Sequence, residues 1–329
     1  MLVDKPIEEL QRYKGAVRLP VDFESFWRAT LHQAREKSWP IKLKPVDSPF
    51  EHVEICDVQF AGFNGDPINA WLRYPKGVTD GLPVIVIYQG YNGGRGFAFD
   101  NIAWVEAGYA VFNVDTRGQG AGWGFGDTSD SGPTGAAVAG WMTRGILDKE
   151  TYYYRRLMTD CVLAIDAVLQ LDMIDPGRIG ITGGSQGGGL SLAVAGLHRG
   201  IAACAPRVPF LCDFHRATDI TDAYPYREIT DYLSVHRRDT NTVYQTLSYF
   251  DGVNFARLAQ APLDVSLGLM DTIVPPSTVF AMFNNYAGPT KTLTVWSHNG
   301  HEGGQAEDDM RAFHFFAEHL GGRDFIEEE

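Results

Sequence analysis

Three kinds of apolar spacing follow one another along the chain, and each predicts a different part of the fold. From residue 21 to 38, Phe23, Phe26, Trp27 and Leu31 recur at helical intervals behind Asp22, a candidate N-cap. The spacing predicts a helix packed by one face. Residues 53–62 and 67–74 alternate instead, separated by Asn64-Gly65-Asp66. That pattern predicts a hairpin and an antiparallel sheet edge. From Pro83-Val84-Ile85-Val86-Ile87-Tyr88 onward the alternation gives way to continuous apolar runs, as in strands covered on both faces. Further strands are expected at 110–114, 178–182, 201–205, 263–269 and 291–296. Helices are expected near 98–107, 151–171, after the glycines of 183–189, and 305–319. Strand–helix alternation of this kind predicts an α/β fold with a mainly parallel, doubly wound sheet.

Two segments break the rhythm. Residues 116–150 are rich in Gly, Ser, Thr and Asp, and residues 209–256 in Tyr, Asp and Arg with short helical patches. Long excursions from an α/β core serve as functional loops or lids. There is no internal repeat and no low-complexity linker. The expectation is one domain over residues 1–329, with a helical extension over about 1–45 and a cap inserted over about 209–256.

Composition narrows the function. The 329 residues are 44% hydrophobic, enough for one large core. A net charge of −13 argues against a nucleic-acid partner, which needs a basic face. No apolar run approaches the roughly 18 residues of a membrane span, so no membrane partner is expected. The opening Met1-Leu2-Val3-Asp4-Lys5-Pro6 lacks the basic-then-apolar pattern of a secretion signal, and the expected location is cytoplasmic. Glu327-Glu328-Glu329 read as a solvated acidic end. The four cysteines, 56, 161, 204 and 212, form no C-x-x-C pair and have no histidine cluster around them, so no metal is expected. Cys161 and Cys204 read as small buried hydrophobes; a Cys204–Cys212 disulfide stays open.

The chemistry lies in Gly183-Gly184-Ser185-Gln186-Gly187, between the strand Arg178-Ile179-Gly180-Ile181-Thr182 and a helix. G-x-S-x-G in that context is a nucleophile elbow. A strained turn lifts the serine hydroxyl above the sheet, and the chain packs too closely for side chains at 183 and 187. A phosphate loop would need G-K-[ST], which is absent. An elbow serine needs an acid and then a histidine downstream. Asp271 ends the strand that begins near Leu263, whereas Asp264 lies inside it and points elsewhere. Of two histidines, His301 sits among glycines before the last helix, where a base belongs; His298 reads as a surface residue. A metal site from His298, His301 and Glu302 has the wrong spacing. The predicted triad is Ser185, Asp271 and His301, working without a cofactor. Oxyanion donors are expected at the amide of Gln186 and in the loop Gln89–Gly96, where Tyr91 is the candidate and Gly90 and Asn92 remain alternatives.

Three ordered motifs then match one family. The chain resembles the acetyl xylan esterase / cephalosporin-C deacetylase family, carbohydrate esterase family 7, through Arg117-Gly118-Gln119, Gly183-Gly184-Ser185-Gln186-Gly187 and His301-Glu302. Residues 140–147, 152–156 and 208–213 look like it too. The resemblance implies an α/β-hydrolase fold and the same triad. It also implies oxyanion donors at Tyr91 and Gln186, and a small acetyl pocket walled by Tyr91, Pro225 and Ile273. It implies a homohexamer that limits access to small acetylated substrates such as xylo-oligosaccharides and cephalosporin C. One departure is visible: the family often has His-Gly before Tyr-Asn, and here Gln89-Gly90 stands there. Arg117, Gln119 and Glu302 read as braces for the site, and Tyr152 to Tyr154 as packing or interface residues. The competing functions are a peptidase or broad carboxylesterase on the same fold, and a catalytically dead hydrolase used for binding.

Overall fold

The computed structural model describes residues 4–132 and 134–322. Met1 to Val3 and the acidic end Glu327 to Glu329 lie outside the described residues. Nine strands form one sheet among them. They are β1 (Lys42–Val46), β2 (Val53–Ala61), β3 (Pro67–Pro75), β4 (Leu82–Tyr88), β5 (Ala110–Val114), β6 (Ile174–Gly184), β7 (Ala203–Arg207), β8 (Leu263–Gly268) and β9 (Lys291–Trp296). Their spatial order is β1-β2-β3-β5-β4-β6-β7-β8-β9. The first four in that order pair antiparallel, and every pair from β5 to β9 is parallel.

The hairpin forms where Asn64-Gly65 indicated it. Both residues have positive φ, 61° and 78°, and the Gly62 amide closes the loop onto the Asp66 carbonyl at 2.8 Å. The continuous apolar run of β4 has a simple cause. Val84 and Val86 point into one core, while Ile85 and Ile87 meet the other.

The helices are α1 (Ile7–Leu10), α2 (Phe23–Glu36), α3 (Ile102–Glu106), α4 (Tyr153–Val168), α5 (Gln186–Leu197), α6 (Phe214–Ile220), α7 (Arg227–Val235), α8 (Thr240–Leu247), α9 (Gly252–Ala256), α10 (Pro276–Asn285) and α11 (Ala306–Leu320). The larger core packs α2, α4, α5, α9 and α10 on one face of the sheet. The smaller one packs α3 and α11 on the other, with Trp104 stacked on Phe313 at 3.8 Å between ring centroids. This is a doubly wound α/β-hydrolase sheet. No helix among the described residues is long and apolar enough to cross a membrane.

The structure corrects some expectations and fills in others. The helix expected near 98–107 is limited to α3, because Asn101 takes a left-handed φ of 61° and the Asp100 carboxylate accepts the Phe97 amide in a turn. Asp22 stands at the N-cap of α2 without capping it; its carboxylate bonds Lys149 at 2.6 Å and the Tyr249 hydroxyl instead. The extension over 1–45 ends in β1, which adds an edge strand to the sheet. Cys204 and Cys212 are both buried free thiols, so no disulfide joins them. The described part of 116–150 holds neither helix nor strand, and the cap segment folds into α6 to α9.

Candidate active site

The carboxyl ends of β4, β6, β8 and β9 bring the predicted residues to one side of the sheet, where ligands of such folds bind. Ser185 sits in the turn between β6 and α5 with φ 55° and ψ −117°, a conformation costly for a residue with a side chain. Three backbone bonds hold it there. Its amide donates to Arg207 O at 2.9 Å, and its carbonyl accepts from Gly189 at 3.1 Å and Phe210 at 3.0 Å. The glycines behave as the elbow requires. A Cβ on Gly187 would lie 2.1 Å from the Tyr88 carbonyl oxygen, and one on Gly183 2.6 Å from it, whereas Gly184 faces open space.

Asp271, buried just beyond β8, uses one oxygen to accept the Ile273 and Val274 amides, both at 2.8 Å. Its other oxygen lies 2.8 Å from His301 Nδ1. That pairing sets the tautomer and leaves Nε2 as the basic nitrogen. The loop bearing His301 is tied to the end of β8 by Met270 N to Asn299 O at 2.9 Å. Glu302 accepts the Asn299 side-chain amide and the Gly300 backbone amide, bracing that loop. His298 is exposed. Asp264 bonds Arg311, away from His301. No group of three His, Cys, Asp or Glu among the described residues is arranged to hold a metal.

Ser185 and His301 line one cavity of about 640 Å³, with Tyr91, Pro225 and Ile273. No hydrogen bond joins the serine hydroxyl to the imidazole among the described residues, a looseness common before substrate arrives. Gln186 is the first residue of α5, so its amide has no acceptor within the helix. In the loop after β4, the Asn92 amide is already engaged by Gln119 Oε1 at 2.7 Å, which removes Asn92 as an oxyanion donor. Gln89, at the point of departure from the family pattern, bonds Asn113 Oδ1 at 2.7 Å and so anchors the loop to β5.

The other bracing residues, Arg117 and Gln119, belong to one buried assembly. Gln119 Nε2 donates to the Tyr153 hydroxyl and to Gln186 Oε1, both at 3.0 Å. Tyr154 donates to the same Gln186 oxygen at 2.9 Å, and Tyr152 to Met142 O at 3.0 Å. The three tyrosines are wholly buried within the chain, which fits packing and excludes substrate contact. Arg117 is also fully buried and grips Asp160 through two nitrogens at 2.5 and 2.8 Å.

Two cavity residues that hold Tyr91 escaped the sequence reading. The exposed Trp123 donates Nε1 to the Tyr91 carbonyl at 2.7 Å. Glu228, in the first turn of α7, accepts the Tyr91 hydroxyl at 2.5 Å. Burial, and then the Glu228 charge, push the Tyr91 phenol well above its ordinary value, so it stays a neutral donor. Neither residue lies in a motif that would single it out.

Comparison with known proteins shows the family of the chain. The acetyl xylan esterase (AXE1) family profile matches residues 1–319. The structure of an acetyl xylan esterase from Paenibacillus sp. R4 is similar with a TM-score of 0.89 at 38% identity, covering 96% of this chain and 100% of that one. Acetyl xylan esterase 1 from Thermoanaerobacterium sp. JW/SL YS485 gives 0.87 at 33% identity, covering 96% and 99%. Acetyl esterase Axe7A of Xylanibacter ruminicola is 26% identical over 292 residues, 85% of this chain. The chain spans 63% of the length of that curated relative.

Proposed function

The chain belongs to the acetyl xylan esterase family, and from that membership we propose that it is a serine carboxylic-ester hydrolase that removes acetyl groups from small substrates. The reading rests on one observation: Ser185, on a strained elbow, lines the same cavity as the hydrogen-bonded His301–Asp271 pair. His301 Nε2 takes the Ser185 proton as Oγ attacks the ester carbonyl. The tetrahedral oxyanion is met by the amides of Tyr91 and Gln186, with the N-terminus of α5 adding its dipole. His301 then protonates the leaving alcohol, and water repeats the sequence on the acetyl-enzyme. Asp271 holds the imidazole tautomer and stabilises the imidazolium.

Tyr91, Pro225 and Ile273 form the acetyl pocket, and a wall there excludes longer acyl chains by overlap. Acetylated xylo-oligosaccharides and cephalosporin C present the same acetyl group on different alcohols, and both fall within the proposal. A cytoplasmic homohexamer is carried into it from the family resemblance; light scattering of the purified protein tests the assembly.

The enzymatic test uses 4-nitrophenyl acetate, butyrate and octanoate with wild type and Ser185→Ala. Activity confined to acetate and abolished in the variant is expected. Comparable rates on octanoate would replace the acetylesterase by a broad carboxylesterase with the same triad. Unchanged turnover in Ser185→Ala would remove the serine mechanism itself.

A further inference from the structure

The Glu228 carboxylate joins three segments that reach the cavity from distant parts of the chain. One oxygen accepts the Tyr91 hydroxyl at 2.5 Å and the Gly140 amide at 3.1 Å; the other accepts the Met142 amide at 3.0 Å. The Tyr91 hydroxyl accepts the Trp141 amide at 3.0 Å in turn. The loop after β4, the long excursion over 116–150 and the cap helix α7 therefore meet at one side chain, which itself lines the catalytic cavity. Tyr91 is held at both ends: Trp123 bonds its carbonyl and Glu228 its hydroxyl.

A carboxylate is chemically suited to this place. Every group facing it is a donor, one O–H and two N–H, and a carboxylate is a pure acceptor. Glutamine has the same shape, but its amide nitrogen would face one of those donors. A bond donated to a charged acceptor is also stronger than one to a neutral acceptor.

Resting on the reading of the Tyr91 amide as an oxyanion donor, we infer that Glu228 is a positioning residue for the reaction, fixing Tyr91 and its amide relative to Ser185. It acts through Tyr91 and touches no reacting atom in this role. Oxyanion donors work only when preorganised, and a small displacement of such a group is enough to lose rate. The tie also makes the donor's position depend on the cap, since Glu228 is carried by α7 and Pro225 precedes it.

The test compares wild type, Glu228→Gln, Tyr91→Phe and the double variant. Two readouts are taken: kcat and KM for 4-nitrophenyl acetate, and inhibition by a small alkyl trifluoromethyl ketone. In the ketone adduct the serine oxygen bonds the carbonyl carbon, the carbonyl electron pair becomes the oxyanion, and the serine proton passes to His301. For Glu228→Gln we expect kcat to fall about 10- to 100-fold with KM nearly unchanged, and ketone affinity to fall in parallel. Tyr91→Phe should show the same split, and the double variant should be no worse than the poorer single one, because both weaken the same tie between Tyr91 and the cap. If Glu228→Gln does not fold, as judged by circular dichroism, Tyr91→Phe carries the test alone. Wild-type kcat in either folded single variant, a rise in KM alone, or fully additive losses would overturn the inference. Failure of the serine reading looks different: the wild-type enzyme itself would then form no adduct with the ketone.

Discussion

At the scale of single residues, Asp271 shows how one side chain can settle a proton's position. One of its oxygens is occupied by two backbone N–H groups, so only the other faces His301. An asparagine there must keep its oxygen toward those amides, which turns its NH₂ toward Nδ1. The imidazole then carries its proton on Nε2 and has no lone pair for Ser185. We predict that Asp271→Asn lowers kcat on 4-nitrophenyl acetate by roughly 10⁴-fold while the protein stays folded. A loss of less than tenfold would separate Asp271 from the chemistry. Ser185, Asp271 and His301 were legible in the sequence because each is marked by local context: a glycine elbow, a strand end, a glycine-flanked loop before a helix. Glu228 was not, because its meaning comes from Tyr91, 137 residues away. Nothing near Glu228 in the chain distinguishes it from any other acid on a short helix.

At the scale of elements, the elbow is a close approach between β6, α5 and β4 that leaves no room for a side chain. The Gly187→Ala methyl would meet the Tyr88 carbonyl oxygen, a backbone atom that cannot swing aside, whereas the Gly184→Ala methyl meets nothing within 4 Å. We predict that Gly187→Ala costs at least the roughly 1–3 kcal/mol of an overpacked core, and that Gly184→Ala stays within about 0.5 kcal/mol of wild type. Urea midpoints of the two variants check this; equal midpoints would mean the elbow has slack. The same packing explains which elements the sequence revealed. Strands β4, β5, β7 and β8 and the second half of β6 announced themselves because burial on both faces demands apolar runs. β1 did not, since Lys42–Val46 is an exposed edge strand interrupted by Pro45 and needs no apolar side. α10 escaped for the opposite reason: seven of its residues, from Pro276 to Met282, are buried in succession, which erases the polar stripe that marks a helix. The proposed triad needs the parallel strands and not these two elements, so its candidates were readable without them.

At the scale of the whole molecule, a chain of net charge −13 also buries several acids, and they give its stability a direction with pH. Asp251, buried in the cap, accepts the Val253, Asp213 and Phe214 amides and so ties α9 to the start of α6. Burial, and then the nearby Asp213 charge, push its carboxyl up to about 7. Burial also raises Asp115 and Asp264, each to about 6. An acid raised in the folded state binds more protons there than in the unfolded chain. Its contribution is therefore complete at low pH and is lost as pH rises from the unfolded value near 4 toward 6 or 7. Asp130 and Asp166 run the other way: burial opposes their charge, but their arginine and histidine partners lower them, and their stabilisation disappears below about pH 4. The two sets act in separate windows, so stability should decline from about pH 5 to pH 7 while the fold persists. Asp251→Asn removes the largest of these titrations. It also turns an NH₂ toward one of the three amides, at a cost that does not vary with pH. We predict that the variant is the less stable protein at pH 5 and recovers relative to wild type by pH 8. The recovery should be no steeper than about 1.4 kcal/mol per pH unit over the titration window. Parallel urea titrations at the two pH values check it. A stability difference that is the same at both would mean that Asp251 does not change its protonation on unfolding, and that the cap is held by a carboxylate charged throughout this range.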